Sequence, residues 1–354
     1  MLNSNKSQTQ SVESDGVAQQ AGRDLTIHNH GLSYTEAKEV ALDVFRANFV
    51  QLVGEAREAA RVRAEEITER FLKKLQAENP AGLNKANDPD FQYSLYNVQR
   101  EYARTADNDL GNLLVDLLVD RIKQNQRDML QIVLNESILV APKITDQQLA
   151  VLSVLFFFLH ASMPHVGNHE QFGIQLDRFV KPFVGNLPKG EAAYQHLQFA
   201  GCGSLQSMVA NSLVAIIKEK YQGLFMSGFD SSEISSCSFA YQQGQRFTTA
   251  CINNSFRIQT IGLNQTDFDS YMSGAAISDS DKATLKNLFS KNVMSDQELQ
   301  AKCISIRSYM SELFDAWQKS GLQRFFLTSV GIALGHANIK RMTGEFADLR
   351  VWIN

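Results

Sequence analysis

From residue 33 onward, hydrophobic positions recur at helical spacing, whereas the first thirty residues are dominated by Ser, Gln, Asn, Gly and Asp. Within that leader, Leu25 and Ile27 alternate with Thr26 and His28, and period two predicts a short β-strand inside 18–31. The period then changes abruptly. Ser33 or Thr35 can cap a helix, with Glu36 three residues after Ser33 making a capping box, and Ala37, Ala41, Val44, Phe49, Leu52, Ala56, Ile67, Phe71 and Leu75 mark one stripe that lasts until Asn79–Pro80. The stripe predicts one long amphipathic helix of about 45 residues. Two shorter helices broken near Gly54 are the alternative.

A second helical region opens at Asp88–Pro89 and runs into LLVDLLVDRI, and a third covers 127–140. Thr145 and Gln148 cap an apolar helix from Leu149 onward. The glycine- and proline-rich stretch 163–203 predicts short helices at most, 205–221 is helical, and 256–263 (FRIQTIGL) alternates weakly as a strand. Helices resume over 279–292 and 296–320. The C-terminus predicts a strand at 324–327, a helix capped by Thr328 or Ser329, and a closing strand at 349–353, a winged-helix-like cap. The expected fold is therefore mainly α, divided into a tail (1–31), the long helix (32–80), helical segments 81–165 and 166–320, and the cap (321–354).

With 44% hydrophobic and 20% charged residues, the chain has the composition of a globular protein with a sizeable core. A net charge of −4 argues against gripping nucleic acid as the main task, which needs concentrated basic surface. If DNA were touched, the C-terminal cap would do it through Arg324, Lys340 and Arg341. No membrane span is expected, because the longest apolar run, 149–159, is well short of about 20 residues. The N-terminus has no signal-peptide pattern, so a cytoplasmic home is expected.

No catalytic residue can be named. Cys202, Cys237, Cys251 and Cys303 lie far apart, without a CxxC pair, and read as small buried hydrophobes. His165 and His169 have i,i+4 spacing, but Val166-Gly167-Asn168 between them supplies no glutamate, so neither metal nor cofactor is expected. Gly201-Cys202-Gly203-Ser204 precedes a helix yet lacks the Gly-Lys-Ser/Thr of a phosphate loop. The alternative is a hydrolase or nuclease whose site is assembled from scattered residues in 160–300.

The tail carries the sharper hypothesis. Gln20, Gly22, Asp24, Leu25 and Ile27 suit ordered stacking of identical strands, in which backbone groups pair and amide side chains form ladders. Tyr34, Val44 and Phe49 on the following helix would extend that homo-oligomeric contact.

GLSYTEAKEVALDVFRANF (31–49), preceded by QAGRDLTIHNH, resembles the opening of a family of uncharacterised bacterial proteins, and 327–354 is similar to that family's ending. The order DPDF, LLVDLLVDRI, ILVAPKITDQQLAVL and Leu327-Thr328-Ser329-Val330-Gly331 resembles the abortive-infection Abi-alpha proteins, while the segment 168–320 matches neither. These resemblances imply a non-catalytic, self-assembling component of bacterial antiphage defence. Such a component would work through protein contacts, with a protein partner or a phage-derived trigger.

Overall fold

A computed structural model of the chain describes residues 32–49, 52–124, 126–163, 166–208, 210–239, 247–344 and 346–353. The tail strand expected in 18–31 lies outside the described residues. The fold is mainly α, as the periodicity predicts.

Helix α1 (Tyr34–Asn48) starts on the capping box: Glu36 N–H donates to the Ser33 hydroxyl, and Glu36 accepts from Ser33 N–H at 2.8 Å. The single rod over 33–79 does not form. The chain leaves the helix at Phe49, is extended at Val53, and re-enters at Gly54 to begin α2 (Gly54–Glu78). Gly54 has φ +59°, a conformation glycine adopts without a Cβ clash, so the break near Gly54 is encoded locally. The two helices are antiparallel. Lys38 near the start of α1 pairs with Glu69 late in α2 at 2.9 Å, while Phe45 packs with Ala60 and Ala64 at the other end. A straight rod would leave both apolar stripes in water; folding back buries each against the other and against α3 (Pro89–Thr105). Gln99 of α3 fastens this packing by donating to Ala41 O and to the Thr68 hydroxyl.

Helices α4 (Asn108–Ile122), α5 (Met129–Val140) and α6 (Asp146–Leu155) follow, and α6 ends in one π-helical turn at Phe156–His160. The broken stretch then supplies α7 (His169–Phe179), α8 (Lys181–Val184) and α9 (Glu191–Phe199). Strand β1 (Gly203–Leu205) shortens the expected 205–221 helix to α10 (Leu213–Tyr221). Strands β2 (Thr248–Cys251) and β3 (Asn254–Thr260) form an antiparallel hairpin; the weakly alternating 256–263 stretch is thus a strand, shifted toward its N-terminal end. Helices α11 (Gln265–Ser273), α12 (Asp279–Lys291), α13 (Asp296–Ile306) and α14 (Met310–Lys319) lead to β4 (Phe325–Leu327) and α15 (Ser329–Thr343). The larger hydrophobic cluster draws on residues from Ala37 to Ile353, and a smaller one is built around Phe229, Phe268, Leu285 and Phe289.

The expected strand–helix–strand cap needs correction at its end. Residues Leu349–Val351 form a 3-10 turn, and β4 pairs antiparallel with β1, Gly203 opposite Leu327. Leu349 and Ile353 are buried while Val351 between them is 64% exposed, whereas an alternating strand would put all three on one face. Among the described residues, no helix is long and apolar enough to cross a membrane.

The last helix lies inside rather than on the surface. Ala333 through Ile339 are buried without interruption, and α15 packs against α4, α5 and α6. Gly335 makes the closest approach: a Cβ there would sit 2.5 Å from the Leu152 carbonyl oxygen and 3.0 Å from Phe156 Cβ. Gly335→Ala is therefore expected to destabilise the fold by about 1–3 kcal/mol through overpacking. An unchanged urea midpoint would show that α6 and α15 can separate freely.

Candidate functional site

The apolar run LLVDLLVD places Asp116 and Asp120 one helical turn apart on α4, so both carboxylates face the same neighbours. Those neighbours are cationic. Asp116 accepts from Lys74 of α2; Lys74 also lies 3.6 Å from Glu78, and Glu78 accepts from Lys123 at 2.7 Å. Asp120 takes Lys123 at 2.9 Å and Lys340 of α15 at 2.9 and 3.0 Å. The result is a continuous chain of alternating charge joining three helices. Burial raises the Asp116 pKa in spite of Lys74. At Asp120 burial acts in the same direction, but Lys340 and Lys123 outweigh it and hold the carboxyl below its ordinary value.

On the same helix as Lys340, His336 is 1% exposed. Its ring is enclosed by Phe156, Phe346 and Trp352, with centroids 5.7, 5.5 and 5.5 Å away. Nε2 lies 2.6 Å from Ala347 O. A carbonyl oxygen only accepts, so Nε2 carries the proton and Nδ1 is a bare acceptor. Nδ1 is buried and has no hydrogen-bond partner among the described residues. Burial lowers the His336 pKa, with the Ala347 bond opposing, and the neutral form is favoured.

What closes over His336 is the C-terminal segment. Gly344 ends α15 at φ +82°, reversing the chain. The segment 346–353 then crosses the body like a strap, with Ala347 O on His336, Arg350 bonded to Gln124, Trp352 Nε1 donating to His160 O at 2.9 Å, and Leu349 and Ile353 buried. A cavity lies on either side. One is polar, about 290 Å³, walled by Asp120, Lys123, Gln124, His336, Lys340, Asp348 and Arg350. The other is mainly apolar, about 400 Å³, walled by Phe157, Met163, Val166, Phe179, Phe346 and Trp352 together with the polar Gln175 and Arg178. A more open cleft of about 630 Å³ lies between α2, α4 and α15, lined by Arg70, Lys73, Lys74, Lys340 and Arg341 together with Glu78 and Asp116.

The residues singled out from sequence fall elsewhere or are partly spent. Gln20, Gly22, Asp24, Leu25 and Ile27 lie outside the described residues. Tyr34, Val44 and Phe49 are half-buried within their own chain, Phe49 stacked on Phe45 at 4.6 Å. The proposed DNA contacts are not brought together as free cations: Arg324 pairs with Glu191 at 3.0 Å, Lys340 with Asp120, and Arg341 with Asp109. His165 is outside the described residues; His169 bonds Leu224 O at 2.8 Å, and the neighbouring Glu170 pairs with Arg307. Among the described residues, no three His, Cys, Asp or Glu side chains converge as metal ligands. Cys202 is fully buried with its thiol pushed up to about 12, which leaves it mostly protonated and a poor nucleophile near neutrality. All four cysteines are free and buried.

Asp116, Asp120 and His336 were not singled out from sequence. Their signal was present: aspartates embedded in LLVDLLVD, and a histidine within GIALGHANI, are polar groups in runs that otherwise belong to the core.

A family model whose description names no activity matches residues 31–353, and the chain belongs to that uncharacterised family. No curated protein and no solved structure matches it.

The pH dependence of stability follows from the buried rings. Burial lowers the pKa of His336, and likewise of half-buried His160 and His169. Below the ordinary histidine value the unfolded chain takes up protons that the folded chain refuses. Their contribution to stability is therefore complete above that value and is lost as pH falls. Asp116, raised by burial, works in the opposite sense nearer the carboxylate range. Urea unfolding between about pH 7.5 and pH 5.5 should show stability decreasing with acid, and His336→Gln should flatten the slope by up to about 1.4 kcal/mol per pH unit. An identical slope in the variant would place the titration elsewhere.

Proposed function

We propose, for this member of an uncharacterised family, a non-catalytic role in bacterial antiphage defence of the abortive-infection type, exerted by self-association and contact with a protein partner or phage-derived trigger. The observation that carries this reading is the junction at Ser33. The capping box fixes the start of α1, and Ala37, Ala41 and Phe45 are buried directly afterwards. In the sequence only residues 28–32 separate the candidate stacking segment from this capped start. A strand stacked through Gln20, Gly22, Asp24, Leu25 and Ile27 would fix the orientation of a whole helical body beside its neighbour. The resemblance of 88–155 and 327–331 to Abi-alpha proteins supports the defence setting, and residence in the cytoplasm belongs to the same reading.

Sedimentation or mass measurement of the purified full chain and of a chain beginning at Leu32 tests the assembly. The full chain is expected as a defined homo-oligomer and the shortened chain as a smaller species. Equal masses would remove the tail from the account. In cells challenged with phage, the intact gene should lower plaque counts relative to an empty control, and deletion of 1–31 should restore them. Equal counts for gene and control would overturn the defence role.

A further inference from the structure

We propose that the apolar cavity beside the strap is a binding site for a neutral, fused two-ring aromatic compound carrying one hydrogen-bonding group, which the Gln175 amide receives. The walls carry the argument. Phe157, Met163, Val166 and Phe179 are each buried, yet all border a space of about 400 Å³. Protein interiors are close-packed, so buried side chains of this kind ordinarily fill such a volume themselves. Water is a poor filler here. A bound water needs two to four polar partners, and most of this wall is made of rings and aliphatic groups.

The lining follows in part from the π-helical turn that ends α6. Ala161 N–H donates to Phe156 O at 3.1 Å, five residues back, in place of the four-residue bond of an α-helix. Single π turns of this kind recur at functional sites. On this one, Phe157 and Ala161 line the cavity, while Phe156 packs against His336 and Trp352, and Phe158 against Trp317. The strap adds Phe346 and Trp352. Ring centroids run from Phe157 to Phe179 at 5.9 Å, on to Phe346 at 5.4 Å and on to Trp352 at 5.8 Å, a continuous aromatic wall. Such rings favour a further ring in offset or edge-on contact, and the Met163 thioether does the same.

The polar groups set the ligand's charge. Trp352 Nε1 is committed to His160 O, and Ala347 O to His336. Arg178 lies over the Phe179 ring at 5.1 Å and donates to Thr343 O at 3.3 Å, so its guanidinium is engaged and a neutral ligand fits the wall better than an anion. Gln175 of α7 is half-buried, and its side-chain amide makes no hydrogen bond among the described residues. That amide can accept from, or donate to, one ligand group. Volume sets the size. A cavity of about 150 Å³ holds one benzene ring, so about 400 Å³ has room for two fused rings and a substituent.

Calorimetric titration of the full chain with 2-naphthol, its saturated counterpart decahydro-2-naphthol and phenol tests this. Saturable one-to-one binding is expected for 2-naphthol. The saturated compound should bind about three- to tenfold more weakly for want of ring contacts, and phenol at least about tenfold more weakly for want of buried area. In a chain with labelled methionine methyl groups, the Met163 resonance should shift during the titration while that of Met208, 97% exposed and away from the cavity, stays in place. Ala161→Leu adds bulk to the wall and should weaken binding at least about tenfold. Gln175→Ala, a milder change at a half-buried position, should weaken it about three- to tenfold with the urea midpoint unchanged, and it carries the test if Ala161→Leu fails to fold. No saturable binding of 2-naphthol, an unmoved Met163 resonance, equal affinity for the saturated compound or for phenol, or full affinity in Gln175→Ala would overturn the proposal. None of these outcomes depends on residues 1–31, so this test and the mass measurement fail independently.

Discussion

The burial of α15 is the constraint on which the rest of the fold depends. A helix whose residues Ala333 to Ile339 all lie away from solvent must have apolar surface on every side and a partner for each polar side chain it carries. The fold supplies both. Gly335 lets α6 approach to backbone contact, Asn338 donates to the Ser153 hydroxyl at 2.8 Å, Lys340 meets Asp120, and Arg341 meets Asp109. Among the described residues His336 is matched on one nitrogen only, by the strap. Helices α4, α5 and α6 therefore gather around the end of the chain, and the C-terminal segment completes what they leave open.

The same constraint explains why charge is concentrated at one seam. Asp116 and Asp120 would be costly in the apolar face of α4 if they stood alone, since removing one partner of a buried pair leaves an uncompensated charge. Lys74, Lys123 and Lys340 come from three different elements, so the ion pairs also fix how α2, α4 and α15 sit relative to one another. The strap then crosses this seam, with Arg350 bonded to Gln124 and Ala347 O on His336, and the polar cavity lies beside it against Asp120, Lys123 and Lys340.

Much of the helical architecture was legible along the chain. The box at Ser33 and Glu36, the proline stop after Asn79, the Thr145–Gln148 cap and the Thr328 start of α15 are local, and each lies where its spacing put it. The chain reversal between α1 and α2 was harder to read, because an unbroken stripe serves a rod and a hairpin equally well until the partner face is known. The closing strand failed for a related reason. Leu349, Val351 and Ile353 alternate in sequence, but Val351 is 64% exposed while β4 had already taken β1 as its partner from more than a hundred residues away. Gly203 to Leu205 offered no period long enough to announce that pairing.

Sequence by itself determined the class of fold, the helix starts and stops that depend on caps, prolines and glycines, and the presence of an N-terminal segment of different composition. Those follow from interactions within a few residues. Only the tertiary structure decided that α15 is central rather than peripheral, that Arg324, Lys340 and Arg341 are held by carboxylates, and that His336, Asp120 and Arg350 share one cavity. These are meetings of groups far apart in the chain, set by which apolar faces bury one another, and no local pattern records the identity of the partner.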